Sequence, residues 1–281
     1  MPSARSSMLD RAPQAKDQAT DAERPVEFRG AGFAPGGSRY SGWIALALVI
    51  AVWQLAGSAG WVNALFLPAP SAIAVAIYKL ATSGALWHHL SWSLLRIGTG
   101  WIIGTVAGVI VGFAIGLSGM ARGVGITFIS ALFPIPKIAL LPLLILWLGI
   151  GEEPKIATIA LGVFFSTAIS VYSGVDAVPR NLIRMAQSFN VPFHAIVRRV
   201  IWPGALPSIL AGFRITASVA LLLVVSAEMI GAEYGIGAFV LQAGNLMQTD
   251  QLLAGVVILS LFGLAVGRLI NLLEARLLHW R

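Results

Sequence analysis

The chain is predicted to be an all-α integral membrane protein with six transmembrane helices, N- and C-termini both inside. Three observations carry this. Only 11% of its 281 residues are Asp, Glu, Lys or Arg, against 57% hydrophobic and a mean hydropathy of +0.83, a membrane protein's composition. Crossing a hydrocarbon layer of about 30 Å takes roughly 20 apolar helical residues, because each backbone N–H and C=O must be satisfied within the segment. Six stretches qualify, at about 42–59, 93–117, 124–148, 156–175, 209–230 and 252–271. With the N-terminus inside, Arg122, Arg180, Arg184, Arg198, Arg199, Arg276 and Arg281 fall on the cytoplasmic side and only Lys79 and Lys155 on the other, the asymmetry that sets orientation.

Residues 1–41 differ in kind. The run "DQATDAERPVEFRGAGFAPGGSR" mixes Ser, Ala, Pro, Gly and charges of both signs with no apolar helical face, and reads as a flexible cytoplasmic tail. The first apolar run begins only near Trp43, too late for a signal peptide. Residues 42–281 form the transmembrane domain, with a cytoplasmic loop at 176–208.

The first span is followed by "LPAPSAIAVAIYKLATSGALWHHL", too polar to cross. Pro70 and Ser71 suit a helix start, and Ile73, Ile77 and Leu80 recur at helical spacing, so a short amphipathic helix is expected. Trp87 and Trp92 would anchor its exit at the outer interface. The second span carries Gly100, Gly104, Gly108, Gly112 and Gly116. Glycines four apart make one smooth face that lets two backbones approach, either within the subunit or between two copies.

Pro134, Pro136 and Pro142 interrupt the third span. Each removes an N–H donor, so a straight helix is not expected there, and broken helices at membrane depth pack inside protein or line cavities. Lys137 lies among these prolines, and Arg96, Arg214 and Glu228 lie within or near the ends of spans. A charge at mid-bilayer costs about 3 kcal/mol or more. Snorkelling or interface anchoring is one reading of these four, and a translocation path leaning cationic, for an anionic solute, is the other.

Several chemistries are excluded. Without cysteine there are no disulfides, thiolate metal sites or cysteine nucleophiles. The net charge of +7 is spread among short loops, unlike a nucleic-acid-binding patch. No GxxxxGK[ST] phosphate cradle occurs, so the chain is not expected to hydrolyse ATP. "GLSG" at 116–119 lacks a histidine within any span to serve as base, and adjacent His88 and His89 point about 100° apart on a helix, poorly placed to share a metal. No catalytic, cofactor or metal residue is expected.

The loop 176–208 reads as two short helices with a break. Leu182, Ile183, Met185, Ala186 and Phe189 make one apolar face, Asn190 tolerates the left-handed conformation that ends a helix, and Pro192 suits a new first turn. Phe193, Ile196, Val197 and Val200 make the second face up to Pro203. On physical grounds alone the pair would lie on the anionic inner leaflet with Arg198 and Arg199 at lipid phosphates.

The spacing points elsewhere. Permease subunits of bacterial ATP-binding-cassette (ABC) importers carry in this loop an EAA motif, Glu-Ala-Ala, three residues, Gly, nine residues, Ile-x-Leu-Pro. Here Arg184-Met185-Ala186 is followed by three residues, Asn190, nine residues and Val200-Ile201-Trp202-Pro203. "PGALPSILAGFRI" and "PKIALLPLLILWLGIG" continue the resemblance. "LPAPSAI", "ALWHHLSWSLLRIGTGWIIG", "SAEMIGAEYGIGAFV" and "LMQTDQLLAGVVIL" look like the nitrate, sulfonate and taurine branch, over about Trp43 to Leu278.

The resemblance implies a type I importer permease of the bacterial inner membrane. It implies a second permease copy as a homodimer, two ATPase subunits that bind ATP and Mg, and a periplasmic solute-binding protein. The loop residues Arg184, Met185, Ala186, Phe189, Asn190 and Pro203 would form the coupling surface for the ATPase. Two positions depart from the pattern: Arg184 replaces its glutamate and Asn190 its glycine. The solute expected is small and anionic, of the sulfonate, taurine or nitrate kind, with aromatic acids and vitamin precursors left open. From the residues alone, a self-sufficient secondary carrier or channel is the alternative, with the buried charges as ion-coupling groups.

Overall fold

The computed structural model describes residues 40–277. The expected tail therefore lies outside the described residues apart from Tyr40 and Ser41, as do His279 and Arg281. The chain divides into two units, at Val52 and Trp53. Of the first, residues 41–52 are the start of helix α1 (Ser41–Ser58), exposed along their length.

In the second unit α2 (Pro70–Thr82) is the expected short helix. Its Ile73 and Ala76 are buried against Ala254, with Trp53, Ile77 and Leu80 packed around them. Then come α3 (Ala85–Leu117), α4 (Gly119–Leu132), a 3-10 turn at Lys137–Leu140 and α5 (Leu141–Leu148). Next are α6 (Glu153–Asp176), α7 (Arg180–Ser188), the single turn α8 (Phe193–Ile196), a π turn at Val197–Ile201 and α9 (Trp202–Gly231). The last two are α10 (Ile236–Asn245) and α11 (Thr249–Leu277). No strand occurs among the described residues.

Among the described residues five helical segments are long and apolar enough to cross a bilayer, and α4 with the segment through α5 makes a sixth that is bent by 85°. The bend falls at Pro134 and Pro136, where helix-ending was expected. The second span begins earlier than its hydropathy indicated. At 33 residues α3 is about 50 Å long, so it runs beyond the hydrocarbon and carries His88, His89 and Trp92 on its outer turns. The fifth span likewise starts inside the predicted loop, Phe193–Gly231 forming one helical run.

Helix α6 lies between α3 and α9. The glycines of α3 face α6: a Cβ on Gly100 would lie 2.8 Å from Ile159 Cβ, on Gly108 2.7 Å from Thr167 Cβ, on Gly112 2.6 Å from Val171 Cβ and on Gly116 2.7 Å from Val175 Cβ, while on Gly104 it would collide with the Ala160 carbonyl. The ridge is therefore occupied within the chain by α6. Trp101 adds a link from α3 to α9, its Nε1–H donating to Thr216 Oγ1 at 3.1 Å, with its ring edge-on to Phe213.

Candidate functional site

Two places concentrate the polar groups that the sequence singled out: the junction of α3, α6 and α9 at the ends expected to face outward, and the loop before α9.

At the first, Arg96 of α3 and Glu228 of α9 are each only 1% exposed. Arg96 Nη1 donates to Glu228 Oε1 at 2.7 Å and to the Tyr234 carbonyl at 2.6 Å. Its Nε and Nη2 grip Glu152, the residue that precedes α6, the latter contact at 3.0 Å. Lys155, also buried, donates to Glu152 Oε1 at 3.0 Å. Two cations thus meet two carboxylates, which is the condition under which buried charge is tolerated.

The turn between α9 and α10 closes over this cluster. Glu228 accepts from Ser93 Oγ at 2.8 Å and from the Gly237 N–H at 2.8 Å, while the Ile236 N–H donates to Ser93 Oγ at 2.9 Å. The Gly235 N–H donates to His89 Nδ1 at 3.2 Å. Gly235 has φ +136°, and a Cβ there would strike the Glu228 carboxylate. Only glycine suits both the dihedral and the space. The hydrogen bond from Arg96 holds the Glu152 carboxyl below the ordinary carboxylate range, with Lys155 adding to it and burial opposing.

The other two candidate pathway residues lie apart. Lys137 spends its ammonium on the carbonyls of Leu132, Phe133 and Ile135, at 2.9, 2.7 and 2.7 Å. Pro136 lacks the N–H that would reach the Leu132 carbonyl four residues back, and the lysine stands in for it. Its Nζ sits 4.7 Å from the Phe165 ring centroid, a cation–π distance. Arg214 pairs with Glu274 of α11.

In the loop, Ile183 and Ala186 of α7 pack against a core of Val171, Val175, Val178, Ile196, Ile201, Ala205 and Ile209. Asn190 takes φ +54°. Its N–H reaches the Gln187 carbonyl at 2.9 Å and the Val191 N–H reaches the Ala186 carbonyl at 3.1 Å, the paired bonds of a Schellman helix end. The turn that glycine would make is thus made by asparagine, the residue other than glycine that pays least for this conformation. Arg184 is exposed, as are Met185 (56%) and Phe189 (75%). Pro203 sits in the first turn of α9, directly after the π turn.

Sequence reasoning had Arg96 and Glu228 separately and did not join them to Glu152, Lys155 or Ser93. The available signal was the placement of all five near one expected face of the membrane. Helix α10 was missed altogether. Among the described residues no cluster of three or more His, Cys, Asp or Glu is arranged to hold a metal.

A bundle of membrane-crossing helices with a broken third span and a helix–turn–helix loop feeding the fifth defines a multi-span transport subunit. The chain belongs to the family of binding-protein-dependent transport system inner membrane components, whose family model matches residues 104–279. It is 36% identical over 251 residues, 88% of this chain and 91% of the relative, to a putative aliphatic sulfonates transport permease protein of Bacillus subtilis. To the taurine transport system permease protein of Escherichia coli it is 36% identical over 240 residues, 84% of this chain and 87% of that one.

Among solved structures the fold is similar to an inward-facing methionine ABC transporter, with a TM-score of 0.61 at 20% identity over 69% of this chain and 97% of that one. It also resembles an amino acid ABC transporter with histidines, with a TM-score of 0.54 at 18% identity over 67% and 92%. The chain is thus an inner-membrane permease of the ABC importer type, with the type I permease fold.

Proposed function

We propose that this permease passes a small organic anion of the sulfonate class inward, driven by ATP hydrolysed on separate ATPase subunits that dock on residues 176–208. The assembly contains two permease copies, two ATPases holding ATP and Mg, and a periplasmic binding protein that delivers the solute. The loop faces the cytoplasm, as the arginine asymmetry requires.

The observation that supports the coupling role is the loop's construction. Its inner side, Ile183 and Ala186, is seated on a core that α6 and α9 share with Val178, Ile196 and Ile201 of the loop, and the run from Phe193 to Gly231 joins the loop to the fifth span without a break. A displacement of α7 is therefore passed to a spanning helix through packed side chains. The relatives named for aliphatic sulfonates and taurine support the solute class.

The test is reconstitution. Uptake of an alkanesulfonate or taurine into liposomes should require the ATPase, ATP and the binding protein together. Transport by this chain alone would overturn the reading in favour of a self-sufficient carrier or channel. Ala186→Arg, which puts a bulky charge where α7 meets the core, should abolish ATPase association while the protein still inserts.

A further inference from the structure

From Ala177 to Ala227 the chain has no Asp or Glu, while Arg180, Arg184, Arg198 and Arg199 all fall in the loop. All four are exposed, and none has an ion-pair partner among the described residues. Helix α7 already uses Ile183 and Ala186 against the core. At about 100° per residue the opposite side is shared by Asn181, Ser188, Arg184 and Met185. Beside it Leu182, Met185 and Phe189, 42%, 56% and 75% exposed, make a narrow apolar ridge, and Arg184 stands on the other flank, beyond Asn181 and Ser188.

This shape fits a cleft better than a bilayer. An interfacial helix needs one broad apolar face for lipid, and here the broad face is taken by the protein's own core. What remains is an apolar ridge on one flank and a cation on the other, which suits a helix gripped on both sides in a groove. In the motif that this loop resembles, glutamate stands in the place of Arg184. Reversing a charge at the edge of an interface, where the loop's one acid, Asp176, is already paired with Arg122, moves the demand for a negative group to the partner.

We propose that the ATPase serving this permease carries a carboxylate in its docking cleft opposite Arg184, and that this ion pair matches the permease to its own ATPase. The inference rests on the coupling reading given above. Complementary edge charges add association rate and select partners, since like charges at the same place repel. An ATPase whose cleft is adapted to glutamate would present the wrong charge to Arg184.

The experiment co-expresses the permease with the ATPase of its own system and measures co-purification and ATP-driven uptake in proteoliposomes. Arg184→Glu should weaken association by roughly tenfold, the scale of one reversed edge charge, and Arg184→Lys should stay near wild type. Lysine in place of the cleft's acidic residue should restore Arg184→Glu. Wild-type association should fall more steeply with salt than that of Arg184→Gln. If Arg184→Glu associates as wild type while Ala186→Arg does not, the charge pairing is overturned and docking stands. If neither variant loses the ATPase, the docking reading fails and the pairing with it. If Arg184→Glu keeps the ATPase and loses only a dependence on phosphatidylglycerol in the liposomes, Arg184 serves lipid and the proposal is overturned.

Discussion

Arg96 Nη1 lies 2.7 Å from Glu228 Oε1, and the two side chains, 132 residues apart in sequence, are 1% and 0% exposed. The pair ties the outer part of α3 to the end of α9, and through Glu152 and Tyr234 it also holds the start of α6 and the turn into α10. Breaking a buried pair on one side strands the other charge. Arg96→Leu should therefore destabilise the protein by about 3–5 kcal/mol, read as a fall in Tm in detergent. Arg96→Leu combined with Glu228→Met should recover part of that loss. A double variant as unstable as the sum of the singles would show that the two groups act independently.

The glycine face of α3 makes a prediction with opposite signs at two positions. Gly108→Ala puts a Cβ 2.7 Å from Thr167 Cβ and 2.8 Å from the Phe164 carbonyl, and overpacking of this kind costs about 1–3 kcal/mol. Gly98→Ala meets nothing within 4 Å and should be neutral or stabilising by roughly 0.5–1 kcal/mol, as for glycine in a helix interior. Thermal denaturation of the two variants side by side decides it.

Lys137→Met keeps much of the side chain's length and removes the donor to three carbonyls. The Leu132 carbonyl keeps the Ile135 N–H at 3.3 Å, and an acceptor held out of water and left unsatisfied costs about 1–3 kcal/mol, so the variant should melt earlier. Lys137→Arg, with donors to replace the ammonium's, should fall between it and wild type. If Lys137 instead bound solute directly, Lys137→Met would raise the solute concentration needed for half-maximal uptake without lowering Tm.

Glu152 predicts an acid sensitivity. Its folded-state pKa is depressed by the hydrogen bond from Arg96. The associated stability is therefore fully present above the unfolded value of about 4.3 and is lost as pH falls through the lower folded value. Glu152→Gln should flatten that part of the Tm–pH curve below about pH 4.3 and leave the rest of its shape unchanged.

Much of this was legible beforehand because membrane crossing imposes local rules. Hydropathy placed the spans, prolines at 134 and 136 placed the break, and Asn190 marked the end of α7 because few residues accept φ +54°. The partners of Arg96 were not legible. Four charges and a serine in separate segments look like independent interface residues, and only the side-by-side packing of α3, α6 and α9 brings them together. Helix α10 was hidden because its ten residues are short and glycine-containing, with no room for a repeating face. The role of Lys137 needed atomic positions, because an ammonium reaching back two to five residues leaves no periodic trace.

The third span bends at a place where unpaired carbonyls would ordinarily be a hazard. Helix α4, with 14 residues, covers only about 21 Å, so the break falls short of crossing a layer about 30 Å thick. Bare carbonyls grouped at such a depth are what ion channels use to strip water from sodium or potassium. Lys137 fills that role with a tethered cation of its own, and the carbonyls of Leu132, Phe133 and Ile135 are already occupied. The bend therefore carries its own counter-charge, for the cation that meets these carbonyls is covalently part of the chain.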